Sequence, residues 1–230
     1  MQALTRLGIA GLDGKLPPIP RGYSILLSGP SGSGKTIFAL QFLYESASKY
    51  GERGVFISLR DLPSNIRRKA ASIGFEISEL EKNNMLIIVD ALSRRIGIGS
   101  GETYIAEPSF NGIIRAIKII SQEFEKIDRV VIDPISILFR GRNDIEDILK
   151  LILTLTSLNA TTLAICFLED LSILSYLFNG VIELQESKNG IKTMIIRKME
   201  YLRVRTPISL PYEIKRGIGI RVVEQTEGGF

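Results

Sequence analysis

Residues 29 to 36 read GPSGSGKT, which fills G-x-x-x-x-G-K-[ST] at every fixed position with Gly29, Gly34, Lys35 and Thr36. These residue types in this order suit one chemistry, the holding of phosphate oxygens. Pro30, Ser31, Gly32 and Ser33 complete the loop, and its glycines let backbone N–H groups curl around an anion. Lys35 brings a point charge to the outer phosphates, and the Thr36 hydroxyl suits Mg²⁺. A strand-like run, SILLSG (24–29), precedes the loop, and a helix-like run, KTIFALQFLYESASKY, follows it. That setting places the phosphates at a helix N-terminus.

A phosphate loop needs a carboxylate to hold the metal shell from a neighbouring strand. Asp133 ends the apolar run RVVID, and Asp90 ends a similar one, MLIIVD (85–90). Asp133 is preferred because its strand follows the helix expected before the metal-binding acid. Lying before Pro134, it could instead open a turn. The 230-residue chain contains no His, which argues against a zinc enzyme or a Ser-His hydrolase.

The elements that must position these groups alternate along the chain. GVFISL (54–59), MLIIVD, RVVIDP (129–134) and TLAICF (162–167) read as buried strands, and GVIEL (180–184) as a further one. Between them lie amphipathic helices: one opened by Pro63, one with Ile113, Ile114, Ile117 and Ile120 on a single face, and one over DIEDILKLILTL. Continuous apolar strands alternating with helices predict an α/β fold, a mainly parallel twisted sheet covered on both faces. A hairpin-like tail from Ile191 to Val223, and alternating strands around an SKNG turn (187–190), predict antiparallel strands at the C-terminal edge. No linker or internal repeat divides the chain, so residues 1–230 are expected to form a single domain. The glycine-rich GIGSG connector lacks the third glycine of a dinucleotide fingerprint and reads as a surface loop.

The remaining features bound the setting. Leu151 to Leu168 carries no charge, yet six Thr, Ser and Asn residues interrupt it, and it divides at Asn159 into a helix end and a strand. It reads as core, and no membrane association is expected. The one cysteine, Cys166, fits a reducing compartment, and no charged-then-apolar leader opens the chain, so a cytoplasmic location is expected. A formal net charge of +4 permits a nucleic-acid partner without requiring one.

Taken with the segments LGIAGLDGKLPPIPRGYSILLSGPSGSGKTIFALQF, GVFISLRDLPSNI, LIIVDA, DRVVIDPIS, LFNGVIEL and TMIIRKMEY, the chain resembles KaiC-like members of the RecA superfamily from about Leu7 to Val223. Within them it looks most like the archaeal single-domain type, paralogues of the RadA recombinase. The resemblance implies a RecA-like fold, ATP and Mg²⁺ at residues 29–36, and often a ring with ATP between subunits.

It also implies catalytic positions, and there the chain departs from the pattern. Where the family has two acids after the strand like VFISL, this chain has Arg60 and Asp61. An arginine cannot act as a base, which leaves Asp61, displaced by one residue, as the candidate catalytic group. Where relatives often carry a γ-phosphate-sensing Gln, the matching residue is Leu168. Where the family reads Lys-Met-Arg, with both cations reaching a neighbour's phosphate, Lys198 is kept but the arginine position is Glu200. Arg60, Lys198 and Glu200 are therefore the expected trans-interface residues, with charges exchanged at two of the three.

These departures lead to an ATP-binding regulatory or accessory protein, with recombination or repair as the expected setting, that hydrolyses ATP weakly or not at all. A competent slow ATPase using Asp61 with Arg203 or Arg205 is the first alternative. A single-stranded-DNA-binding recombinase paralogue is the second, suggested by nine Lys/Arg between Lys188 and Arg221 with Tyr201 and Tyr212 among them. The partners expected are ATP or ADP, further copies of the chain, and single-stranded DNA or a recombinase.

Overall fold

The computed structural model describes residues 3–201 and 206–223. In chain order the first half runs β1 (Leu4–Thr5), β2 (Ile19–Pro20), β3 (Ser24–Ser28), α1 (Lys35–Tyr50), β4 (Gly54–Ser58), α2 (Pro63–Ser72), α3 (Ile77–Lys82), β5 (Leu86–Asp90), α4 (Leu92–Ile96) and β6 (Tyr104–Ile105). The second half runs α5 (Phe110–Phe124), β7 (Arg129–Asp133), α6 (Ile145–Ser157), β8 (Thr161–Ile165), α7 (Leu171–Leu174), β9 (Gly180–Glu186), β10 (Lys192–Met199), β11 (Ile208–Lys215) and β12 (Gly219–Val222).

Strands β3, β4, β5, β7 and β8 are buried along their whole length, as strands covered on both faces must be. They lie within a ten-stranded sheet of order β12-β11-β10-β9-β3-β8-β7-β4-β5-β6. From β9 to β6 every pairing is parallel, and β10, β11 and β12 add antiparallel strands at the other edge. The α/β class and its antiparallel C-terminal edge are as expected. The tail from Ile191 to Val223 is more than one hairpin: it supplies three strands, and its SKNG turn joins β9 to β10.

One face of the sheet packs against α1, α2 and α3 through Phe38, Phe42, Ile66 and Phe75. The other packs against α5 and α6 through Ile113, Ile117, Ile148 and Leu151. Local signals agree with this layering. Pro63 sits at the start of α2, where its missing N–H costs nothing. Ser109 caps α5 by accepting from the Gly112 N–H, and Glu146 and Asp147 occupy the first turn of α6. The uncharged stretch 151–168 divides as the sequence indicates: α6 ends at Ser157, Asn159 turns at φ 55°, and β8 begins at Thr161. No helix among the described residues is long and apolar enough to cross a membrane.

A fully buried arginine ties the N-terminal segment to the sheet. All five N–H groups of Arg129 are matched: Nε by Glu52, one terminal nitrogen by the Leu7 and Phe42 carbonyls, the other by Thr5 Oγ1 and the Arg6 carbonyl. Its guanidinium also lies over the Phe42 ring, 4.4 Å from the centroid.

Candidate functional site

The parallel strands bring most of the chemistry to one edge. At their carboxyl ends lie the phosphate loop after β3, Arg60 after β4, Asp90 in β5, Asp133 in β7 and Leu168 after β8. This is the edge at which open α/β sheets bind ligands.

The loop is shaped by close approach from the antiparallel edge. Gly29 has φ 151°, and a Cβ there would sit 2.5 Å from the Leu184 carbonyl of β9. Gly34 has φ 95°, and a Cβ there would sit 2.7 Å from Ile214 Cδ1 of β11. The Tyr212 hydroxyl, also on β11, donates to the Ser33 carbonyl at 2.6 Å. Lys35 arches back, its Nζ donating to the Gly29 and Pro30 carbonyls at 2.6 and 2.7 Å. Burial lowers the Lys35 pKa, as does the charge of Arg60, against the pull of Asp133. No side chain caps α1 and no acid lies in its first turn, which leaves its opening N–H groups able to receive an anion.

Thr36 Oγ1 donates to Asp133 Oδ2 at 2.9 Å, joining the end of the loop to β7 two strands away. Burial raises the Asp133 pKa, with the Thr36 hydrogen bond and the charges of Arg60 and Lys69 opposing it. A desolvated carboxylate facing a hydroxyl beside a phosphate loop fits a hard divalent cation that keeps most of its waters. Asp90 is differently placed. It accepts from the Leu92 and Ser93 N–H groups at 3.0 Å and from the Ser93 and Ser100 hydroxyls at 2.6 Å. Burial works to raise its pKa, but these hydrogen bonds outweigh it and hold the carboxyl below the usual range. Asp90 is thus occupied in starting α4 and pinning the GIGSG loop through Ser100.

Beyond β4, Arg60 is exposed while Asp61 is half-buried and ion-paired to Lys69 at 2.5 Å. The Ser58 hydroxyl, in turn, donates to the Asp61 carbonyl. Leu168 is exposed at the end of β8. Lys198 and Glu200 lie elsewhere. Lys198 pairs with Val181 near the amino end of β9, so both residues sit at the sheet edge away from the loop of their own chain. They bond each other at 2.8 Å, while Lys198 also donates to the Phe178 carbonyl and Glu200 accepts from Asn179. The Lys198 and Asn179 bonds hold the Glu200 pKa below the usual range. Within one chain, Arg60 and Glu200 are not brought together.

The basic edge differs from the sequence reading. Tyr212 is buried under the phosphate loop and is not available to stack on bases. Lys192, Arg197 and Lys198 are paired with Glu186, Glu183 and Glu200. Arg203 and Arg205 lie outside the described residues. Sequence reasoning misses the hold of β11 and β12 on the nucleotide edge. Besides Tyr212, buried Gln41 of α1 both donates to and accepts from the Ile220 backbone, at 3.0 and 2.7 Å. A polar residue at position 41, within an otherwise apolar stretch of the helix, is a signal that could have pointed to it.

Comparison with known proteins bears on the family and the fold. The family model "ATPase: KaiC" matches residues 5–227. The circadian clock oscillator protein KaiC of Parasynechococcus marenigrum is 32% identical over 160 residues, 67% of this chain and 30% of that protein. A UPF0273 protein of Pyrococcus horikoshii is 34% identical over 143 residues, 60% of this chain and 57% of that protein. The match thus spans a third or less of the clock protein's length. A crystal structure of a KaiC-like protein from P. horikoshii superposes with a TM-score of 0.80 at 28% identity, covering 97% of this chain and all of that one. With the phosphate loop, the buried acid and the strand order in place, the chain belongs to the KaiC family of RecA-like ATPases.

Proposed function

We propose that residues 1–230 act as one ATP-binding unit that holds Mg²⁺–ATP and turns it over slowly or not at all, serving as a nucleotide-dependent regulatory or accessory factor. The observation that carries this reading is the Thr36–Asp133 hydrogen bond at the mouth of the loop, set beside a β4 end where Arg60 stands and the Asp61 carboxylate is ion-paired to Lys69. The loop N–H groups and Lys35 would hold the phosphates, with Gly29 to Thr36 forming the cradle. Thr36 and Asp133 would hold the metal shell, and the Mg²⁺ would neutralise phosphate charge.

Hydrolysis needs more than binding. A positioned general base contributes about 10²–10⁴-fold, and an arginine from a neighbour about 10³–10⁵-fold. Here Arg60 stands where relatives are expected to have the first acid, and the Asp61 carboxylate is taken by Lys69. Glu200 stands at the expected arginine position and is paired within its own chain. The losses need not add, since groups acting as a unit are non-additive. One alone leaves a slow enzyme.

Family membership also supports assembly into a ring, in which Lys198 of one copy would approach the nucleotide of the next. A DNA-binding role draws less support, because Tyr212 is buried and three of the basic side chains are paired.

The test is calorimetric binding of ATP and ADP with Mg²⁺, run beside steady-state ATPase, with Lys35→Ala as control. Tight binding with turnover far below that of a competent ATPase is expected, and Lys35→Ala should abolish both. Measurable turnover that is lost in Asp61→Asn would establish the slow-ATPase alternative instead.

A further inference from the structure

We propose that Arg60 binds the terminal phosphate of the nucleotide, and is the residue by which this site prefers a nucleoside triphosphate to a diphosphate. The inference rests on the nucleotide reading above and adds a ligand at its outer end.

Sheet order gives the placement. The phosphate loop stands over β3, Asp133 ends β7 two strands away, and β4 lies one strand further in the same direction. Adjacent strands are about 4.8 Å apart, so this path spans roughly 14 Å. Ser58 of β4 is in register with Asp133, and the Leu59 N–H donates to the Asp133 carbonyl at 2.9 Å. Arg60 is the next residue, leaving the sheet at its carboxyl edge with its side chain exposed. Along the edge the order is therefore loop, metal acid, guanidinium. A polyphosphate with its inner groups in the loop extends toward Asp133, and only the phosphate farthest from the loop passes beyond it.

Charge and geometry agree with that order. The Arg60 charge acts on both Lys35 and Asp133, which flank the path. Among the described residues no carboxylate forms an ion pair with Arg60, while its neighbour Asp61 is taken by Lys69. A guanidinium is permanently charged, and its planar fork matches two phosphate oxygens at once. Those properties suit retention of an anion and exclude proton abstraction. A cation acting only through diffuse attraction would strengthen triphosphate and diphosphate binding together, whereas a terminal-phosphate ligand strengthens one alone.

The experiment measures binding of ATP and of ADP with Mg²⁺ to the full chain, for wild type, Arg60→Ala, Arg60→Gln and Arg60→Lys. Wild type is expected to prefer ATP. Arg60→Ala and Arg60→Gln should each lower ATP affinity about tenfold or more while shifting ADP affinity less than about threefold, with Arg60→Lys between. Melting temperatures without ligand should be unchanged, since the side chain is exposed; a variant that melts early is set aside for the other. Equal losses for ATP and ADP, or no loss in either, would overturn the proposal while leaving the nucleotide site standing. Wild type binding neither nucleotide would overturn both readings together.

Discussion

The Tyr212 hydroxyl donates to the Ser33 carbonyl at 2.6 Å across 179 residues of chain, fastening the antiparallel edge of the sheet to the apex of the phosphate loop. Burial lifts this phenol's pKa well above its usual value, so it stays a hydrogen-bond donor throughout the physiological range. By holding the Ser33 carbonyl, it fixes the peptide that leads into Gly34 at the start of α1. Tyr212 is thus a positioning residue for the loop.

Tyr212→Phe keeps the ring and its packing but removes the bond. Stability should fall by about 1 kcal/mol, the size of one buried hydrogen bond. Affinity for ATP and for ADP should fall together by a few-fold, because the loop serves both. A loss confined to stability, with both affinities intact, would show that the bond is merely structural.

In the proposed site, Asp133 would couple metal binding to pH. Its pKa is raised by burial, so the folded chain holds this proton to higher pH than the unfolded chain does. The contribution is full below the unfolded value near 3.8 and is lost as pH rises through the folded value. Near neutrality the ligand-free protein has lost that contribution and holds a desolvated carboxyl that opposes folding. Asp133→Asn removes it and can still accept the Thr36 hydroxyl. Without ligand, the variant should melt about 2–4 °C higher at pH 7, the shift given by roughly 1 kcal/mol in a chain of this size. With ATP, the further stabilisation that Mg²⁺ gives wild type by mass action should disappear. A variant that melts lower without ligand, or that keeps its Mg²⁺ response, would contradict this account.

Much of this was legible in the sequence, and the limits have physical causes. GPSGSGKT, the apolar strands and the division at Asn159 are local patterns, and their structure follows from local chemistry. Asp133 could be preferred over Asp90 from helix order, but the reason Asp90 is spent, its four hydrogen bonds around Ser93 and Ser100, is tertiary. Tyr212 was misread because alternation along β11 does not say which strand edge meets the phosphate loop. Arg129 was hidden for a similar reason: a charge at the start of an apolar run reads as a solvated end, until five distant acceptors are seen around it.

That arginine yields a stability prediction. Arg129→Lys keeps the charge, but three ammonium donors cannot serve five acceptors fixed in a plane. It should cost about 2 kcal/mol, and Arg129→Ala about 3–5 kcal/mol, since the truncation leaves Glu52 buried with Arg21 as its remaining cation. In both variants limited proteolysis should cut first near residues 4–7, whose carbonyls and hydroxyl Arg129 holds. Chemical denaturation showing Arg129→Lys as stable as wild type would mean the guanidinium fork is not what anchors the segment.

The last prediction separates holding from cutting. If Arg60 both binds the terminal phosphate and occupies the place of a base, replacing it should have opposite effects on affinity and turnover. Arg60→Gln removes the cation and supplies no base: ATP affinity falls and kcat stays at the wild-type level. Arg60→Glu removes the same cation and places a carboxylate beside the outer phosphate. Its ATP affinity should fall further, by charge repulsion, while kcat rises at least about tenfold, a small part of what a well-positioned base supplies. The rise stays modest because Leu168 and Glu200 stand where the family resemblance implies two further catalytic groups. Steady-state measurements at saturating Mg²⁺–ATP read kcat free of the affinity loss. If Arg60→Glu and Arg60→Gln turn over ATP at the same rate, the slow hydrolysis has a cause other than the missing base, and the paired Glu200 becomes the next residue to change.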